Sequence, residues 1–136
     1  MRIFRKIVTG TATVAAALLA LAGTSAATPA PSDDRAVKCE ATNHPAKRID
    51  KNVWKPDAPT KRLPAGTKAG KMNAGKNYFY CQRDWGEKHR VTVGGWTNTW
   101  WALTDDDSGF KNVWLNVVYI SGGNNNKPVP GLPQHG

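Results

Sequence analysis

From Thr67 onward the chain runs as short apolar stretches broken by glycine-bearing turns at Gly70, Gly75, Gly86, Gly94-Gly95, Gly109 and Gly122-Gly123. Turn signals recurring every 8–12 residues or so predict an all-β sandwich or barrel. Tyr78-Phe79-Tyr80-Cys81-Gln82 is the clearest strand, rich in aromatic residues and alternating in character. Strand geometry would put Phe79 and Cys81 on one face and Tyr78 and Tyr80 on the other. Arg90 to Val93 is a second strand, Thr97 to Leu103 a third and Asn112 to Leu115 a fourth. In the third, Trp100 and Trp101 must point to opposite faces, one buried and one at least partly exposed. Asp105-Asp106-Asp107-Ser108-Gly109 reads as the turn between the third and fourth strands, because Asp and Gly supply the side-chain acceptors and positive φ of tight connections. Val117 to Ile120 closes the compact region, after a single helical turn. The block from Asn77 to Ile120 holds five of the six tryptophans and all three tyrosines, so the core belongs there.

The flanks are different in kind. Arg2, Arg5 and Lys6 precede an apolar run from Ile7 to Leu21 and a small-residue stretch from Gly23 to Ala27. That three-part pattern reads as a signal peptide over residues 1–27, and the apolar run falls short of the roughly 20 residues a membrane span needs. Residues 28–62 form a proline-rich basic arm, opening with a flexible leader, in which Pro45, Pro56 and Pro59, with Pro64 just beyond, rule out a long helix. The arm is expected to be extended and looped, with Trp54, its only aromatic residue, docking on the core. The compact barrel is expected over residues 63–121. Residues 122–136, rich in Gly, Asn and Pro, are too polar to pack independently and should be flexible or lie as an extended strap along the domain.

Charge and cysteine content narrow the classes. Removing residues 1–27 leaves 109 of the 136 residues, enough for one small domain, and 16 basic against 10 acidic side chains, a net charge of about +6. That charge favours acidic partners such as anionic wall polymers, or serves solubility alone. The most basic surface is the arm, with Lys47, Arg48, Lys51, Lys55, Lys61 and Arg62. Cys39 and Cys81 are the only cysteines; in a short exported chain they most simply pair with each other.

No catalytic constellation is visible. His44, His89 and His135 lack a metal-site spacing with the cysteines, and no metal or cofactor is expected. Three successive aspartates could attract a cation, but no Glu follows Glu87 to complete a calcium loop, and a solvated turn is the simpler reading. Asp84 and Glu87 flank Trp85, a spacing that carries almost no catalytic information. No serine stands in a nucleophile elbow, so a non-enzyme is expected. The candidate binding residues are Trp85, Trp96, Trp100, Trp101, Tyr78, Tyr80 and Arg90, because exposed aromatic faces stack on sugars or bases and accept cations.

Leu63-Pro64-Ala65-Gly66-Thr67, Ala74 to Gln82, Trp100-Trp101-Ala102-Leu103, Asn112 to Ile120 and Gly131-Leu132-Pro133 together resemble the bacterial SH3-like domains of exported actinobacterial proteins. The resemblance covers about half the chain, with Val113 in place of the family's Gly before Trp, and without the cysteine often found after Leu-Pro. The missing cysteine favours a Cys39–Cys81 pair. It implies a small, partly open SH3-like β-barrel, here with an irregular, disulfide-tied N-terminal arm. Family members are commonly appended to wall hydrolases, and some bind peptidoglycan peptides. The expectation is therefore a secreted, monomeric binding module whose aromatic groove takes peptidoglycan, an anionic wall polymer or another secreted protein. Nucleic acid is not the expected partner, nor is a membrane once the signal is removed. The competing classes are a small cationic secreted effector or inhibitor, antimicrobial or directed at a protease, and a structural matrix component.

Overall fold

The computed structural model describes residues 36–136. The signal peptide expected at residues 1–27 and the beginning of the arm lie outside the described residues. The strands are β1 (Ala36–Val37), β2 (Ile49–Val53), β3 (Ala58–Arg62), β4 (Thr67–Met72), β5 (Gly75–Phe79) and β6 (Cys81–Asp84). They continue with β7 (Val91–Val93), β8 (Trp96–Asn98), β9 (Trp100–Thr104), β10 (Val113–Asn116) and β11 (Gln134–His135). Two single 3-10 turns, Glu87–His89 and Val117–Tyr119, are the helical elements among the described residues. The protein is thus all-β. Seven strands form one sheet in the order β1-β11-β6-β9-β10-β3-β4, and β2–β5 and β7–β8 form two-stranded pairs. The sheets do not close on one another, so the barrel is partly open.

β9 and β10 sit at the centre because they carry no charge and are buried on both faces. Alternation then divides two cores. Ala102 points into the larger one, with Val53, Met72, Phe79, Leu115, Ile120, Val129 and Leu132, and Trp100 packs against it. Trp101 and Leu103 point into the smaller one, with Cys39, Tyr80, Cys81 and Trp114. Trp100 and Trp101 therefore face opposite ways, with Trp101 the buried ring. The 3-10 turn after β10 forms where expected, and the Asn116 side chain caps it by accepting from the Val118 N–H at 2.8 Å.

The strand expected over Tyr78–Gln82 is instead two strands in different sheets. β5 pairs with β2 from Gly75 to Phe79, whereas β6 pairs with β9 from Cys81 onward, and the Tyr80 N–H turns to the Leu103 carbonyl at 2.9 Å. The break at Tyr80 cancels the alternation. Phe79 enters the larger core, while Tyr80 and Cys81 both enter the smaller one. Phe79 and Cys81 do not share a face.

The arm is tied as expected by the Cys39–Cys81 disulfide, with Cα atoms 5.8 Å apart. Its later half nevertheless supplies β2 and β3, so the folded body extends past the expected start at residue 63. β3 is an inner strand, paired with β10 on one side and β4 on the other, although it contains Pro59. The register slips between Pro59 and Lys61, and a bulge is where a residue without an N–H can sit inside a sheet. The Thr60 hydroxyl there accepts from the Gly70 N–H and donates to buried Asp106 at 2.6 Å. A Cβ at Gly70 would lie 2.5 Å from the Ser108 side chain, so glycine lets the Asp106–Ser108 loop press on β4.

The body also extends past residue 121, because the last residues are a strap. Val129 and Leu132 are buried, and β11 is inserted between β1 and β6. Fully buried Gln82 holds the strap: its amide donates to the Val129 and Leu132 carbonyls and accepts from the Val129 N–H. A tail rich in Gly, Asn and Pro stays ordered here because another strand satisfies its backbone groups.

Candidate functional site

The seven predicted binding residues do not form one groove. Trp101 is 1% exposed, and its indole N–H donates to the His89 carbonyl at 2.9 Å. Tyr80 is buried, and Tyr78 and Trp85 are half-buried against the same smaller core. Trp100 is half-buried against the larger core. Only Trp96 projects, at 54% exposed, from the tip of the β7–β8 hairpin next to Gly94-Gly95.

Trp96 faces a pocket of about 310 Å³ whose second aromatic wall is Trp54. Val117, Val118 and Ile120 supply the rest of its apolar lining, and Thr97, Asn98 and Ser121 to Asn125 complete it. Trp54 sits just beyond β2. Its backbone N–H donates to the Tyr119 carbonyl and its indole N–H to the Val118 carbonyl at 2.8 Å, so the edge is docked while the ring stays 42% exposed. The arm's tryptophan does dock on the core, but it docks as a pocket wall. The opposite rim is held as firmly. The Asn98 amide donates to the Asn124 and Lys127 carbonyls, and the Asn125 side chain accepts from the Thr97 N–H at 2.9 Å. Arg90 acts behind this rim, donating to the Thr97 hydroxyl and to the Asn126 side chain. Two tryptophans, three aliphatic side chains and a set of amides and two hydroxyls form a pocket with no charged group in its lining. Its volume matches the lower end of small-ligand sites, about 300–1,000 Å³.

No protein-family model, curated protein or solved structure matches this chain. The site must therefore be read from its own chemistry. No carboxylate lines the pocket. Asp84 accepts from the Gly86 N–H, and Glu87 pairs with Arg90, whose hydrogen bond holds the Glu87 carboxyl below its usual range. Among the described residues no group of three or more His, Cys, Asp or Glu is placed to hold a metal ion.

The three successive aspartates are structural acceptors. Asp106 accepts from the Ser108 and Phe110 N–H groups as well as from Thr60, and Asp107 from the Asn73 N–H at 2.7 Å. Asp105 accepts from the Tyr78 and Tyr80 hydroxyls, both at 2.7 Å, and from the Asn112 N–H at 3.0 Å. Burial alone would raise the Asp105 pKa, but these hydrogen bonds outweigh it and hold the carboxyl below the ordinary value. Tyr78 is pushed the other way, up to about 12, first by its bond to Asp105 and then by burial.

Both shifts make stability depend on pH. Tyr78 has a raised folded-state pKa, so its contribution is whole below the ordinary tyrosine value of about 10 and is lost as pH rises above it. Asp105 has a depressed one, so its contribution is whole above about 3.9 and is lost as pH falls through the lowered value. Tyr78→Phe is expected to flatten the alkaline loss: in urea titrations at about pH 8 and pH 11, the variant loses less stability between the two than the wild type. Equal losses in both proteins would remove Tyr78 from the account.

Proposed function

We propose that this protein is an extracellular, non-catalytic binding module that holds cell-wall glycan in the pocket between Trp54 and Trp96. The observation that carries the reading is the pair of half-exposed indoles that line one uncharged, amide-rimmed pocket. Pyranose rings present a C–H face that packs on indole and hydroxyls that pair with amides, and a neutral sugar loses nothing by entering a site without charge. Export is supported by the three-part pattern of residues 1–27 and by the disulfide, which persists in oxidising compartments. No helix among the described residues is long and apolar enough to cross a membrane. The partly open all-β architecture agrees with the resemblance to bacterial SH3-like domains, whose members include wall-binding modules.

The mature protein should be retained on purified cell walls and should bind muropeptide saccharides in calorimetric titration. Trp96→Ala removes one wall of the pocket, a stacking contact of about 1–1.5 kcal/mol, so affinity should fall roughly tenfold. Because the Trp96 ring is exposed, unfolding free energy should change by no more than about 0.5 kcal/mol. Equal wall retention by wild type, Trp54→Ala and Trp96→Ala would sink the pocket as the site.

A further inference from the structure

A second surface lies around Trp101, away from the pocket. Lys61 of β3 stands directly opposite Lys68 of β4, and like charges placed across two strands destabilise the pair. Trp101 gathers further cations to this place. Lys61 Nζ lies 5.9 Å from the Trp101 ring centre, Arg83 is the β6 register partner of Trp101, and the Trp101 indole is bonded to the carbonyl of His89, next to Lys88. Lys68 and Lys88 are exposed, and Lys61 and Arg83 half-exposed. The ion pairs among the described residues join Lys71 to Asp57, Lys76 to Asp50 and Arg90 to Glu87, and none includes these four cations. The nearby carboxylates of Asp84 and Glu87 are already engaged with the Gly86 N–H and Arg90.

We propose that this surface docks a linear phosphodiester polymer that carries no bases. Four uncompensated cations, two of them forced side by side, supply the complementary charge. The rings beneath argue against nucleic acid: Arg83 lies 4.2 Å over Trp85, Trp114 meets the same ring in a T-shaped contact at 5.3 Å, and Trp101 is buried. Arg83 takes a face of Trp85 and the Trp101 ring is buried, so this surface lacks the row of free aromatic faces that single-stranded nucleic acid sites add to charge. A polymer docked here and a glycan in the Trp54–Trp96 pocket would occupy different surfaces.

The test is binding of poly(glycerol phosphate) across a series of salt concentrations. Lys61→Gln/Lys68→Gln should weaken binding at least tenfold and flatten the log–log salt slope by about 1.4, the share of two phosphate contacts. Lys71→Gln/Lys76→Gln removes the same formal charge from ion-paired lysines and should change affinity less than threefold. If Lys61→Gln disturbs the packing over Trp101, Lys68→Gln/Lys88→Gln, at two exposed positions, should reproduce the loss. Trp96→Ala should leave polymer binding intact, which separates this surface from the pocket. Equal weakening by the two charge-matched pairs would reduce the effect to net charge and overturn the proposal. Tighter binding of single-stranded DNA than of poly(glycerol phosphate) at matched charge would overturn it as well.

Discussion

Replacing both members of the disulfide, as Cys39→Ala/Cys81→Ala, is expected to lower the unfolding free energy by about 4 kcal/mol, the chain-entropy value for a loop of this length. The cysteines are 42 positions apart, and the chain between them contains β2, β3, β4 and β5. The bridge therefore restricts much of the unfolded chain, including strands that must find partners in the central sheet. A domain of this size has only about 5–15 kcal/mol to lose, so the variant should unfold at markedly lower urea and become sensitive to proteolysis. Both cysteines of the bridge are fully buried in one core with Leu103 and Trp114, so the deletion also leaves a small void. Urea denaturation of the variant, and of the wild type with and without reductant, measures the effect. A loss below about 1 kcal/mol would mean that the arm is held by its strand pairing and not by the bridge.

Trp101→Ala should cost about 3–5 kcal/mol, the range for truncating a large buried aromatic side chain. The ring is enclosed between the central strand and the Glu87–His89 turn, and its loss leaves the His89 carbonyl without its partner. This sets a control for every binding experiment. A Trp101→Ala protein that fails to bind a glycan reports a damaged core, whereas a Trp96→Ala protein that fails to bind reports a missing contact. Circular dichroism and urea titration beside the binding assay distinguish the two. If Trp101→Ala remained as stable as wild type, the assignment of this ring to the core would be wrong.

Two features of the candidate site show how far the chain could be read without its fold. Trp96 was named only as one of seven candidates for its aromatic face, although the Gly94-Gly95 turn beside it marks a hairpin tip, where a large ring has few ways to be buried. Trp54 was recognisable only as the single aromatic residue of a proline-rich arm, and docking was the natural expectation for it. That it forms the second wall of a pocket with Trp96 depends on the end of β2 being laid along Tyr119 to Ser121, a pairing fixed by the Val53–Ile120 bridge and the Trp54 and Ser121 N–H bonds. Nothing near Trp54 in sequence carries that information. Tyr78 and Tyr80 were grouped with the binding residues for their ring faces, yet their hydroxyls serve Asp105, a partner that no local spacing reveals.

The residue pattern settles the all-β class, the single disulfide, the aromatic core and the opposed faces of Trp100 and Trp101. Each follows from short-range rules: turn chemistry, period-two alternation, and two cysteines with only each other to pair with. Which ring lies outside, which tryptophans meet, the inclusion of Pro59 in an inner strand and the burial of the terminal strap follow from pairing between strands far apart in the chain. Alternation carries facing only as far as a strand runs straight. At Tyr80 the chain changes sheets, and at Pro59 the register slips, so beyond those points only the assembled sheet determines which side chain faces water.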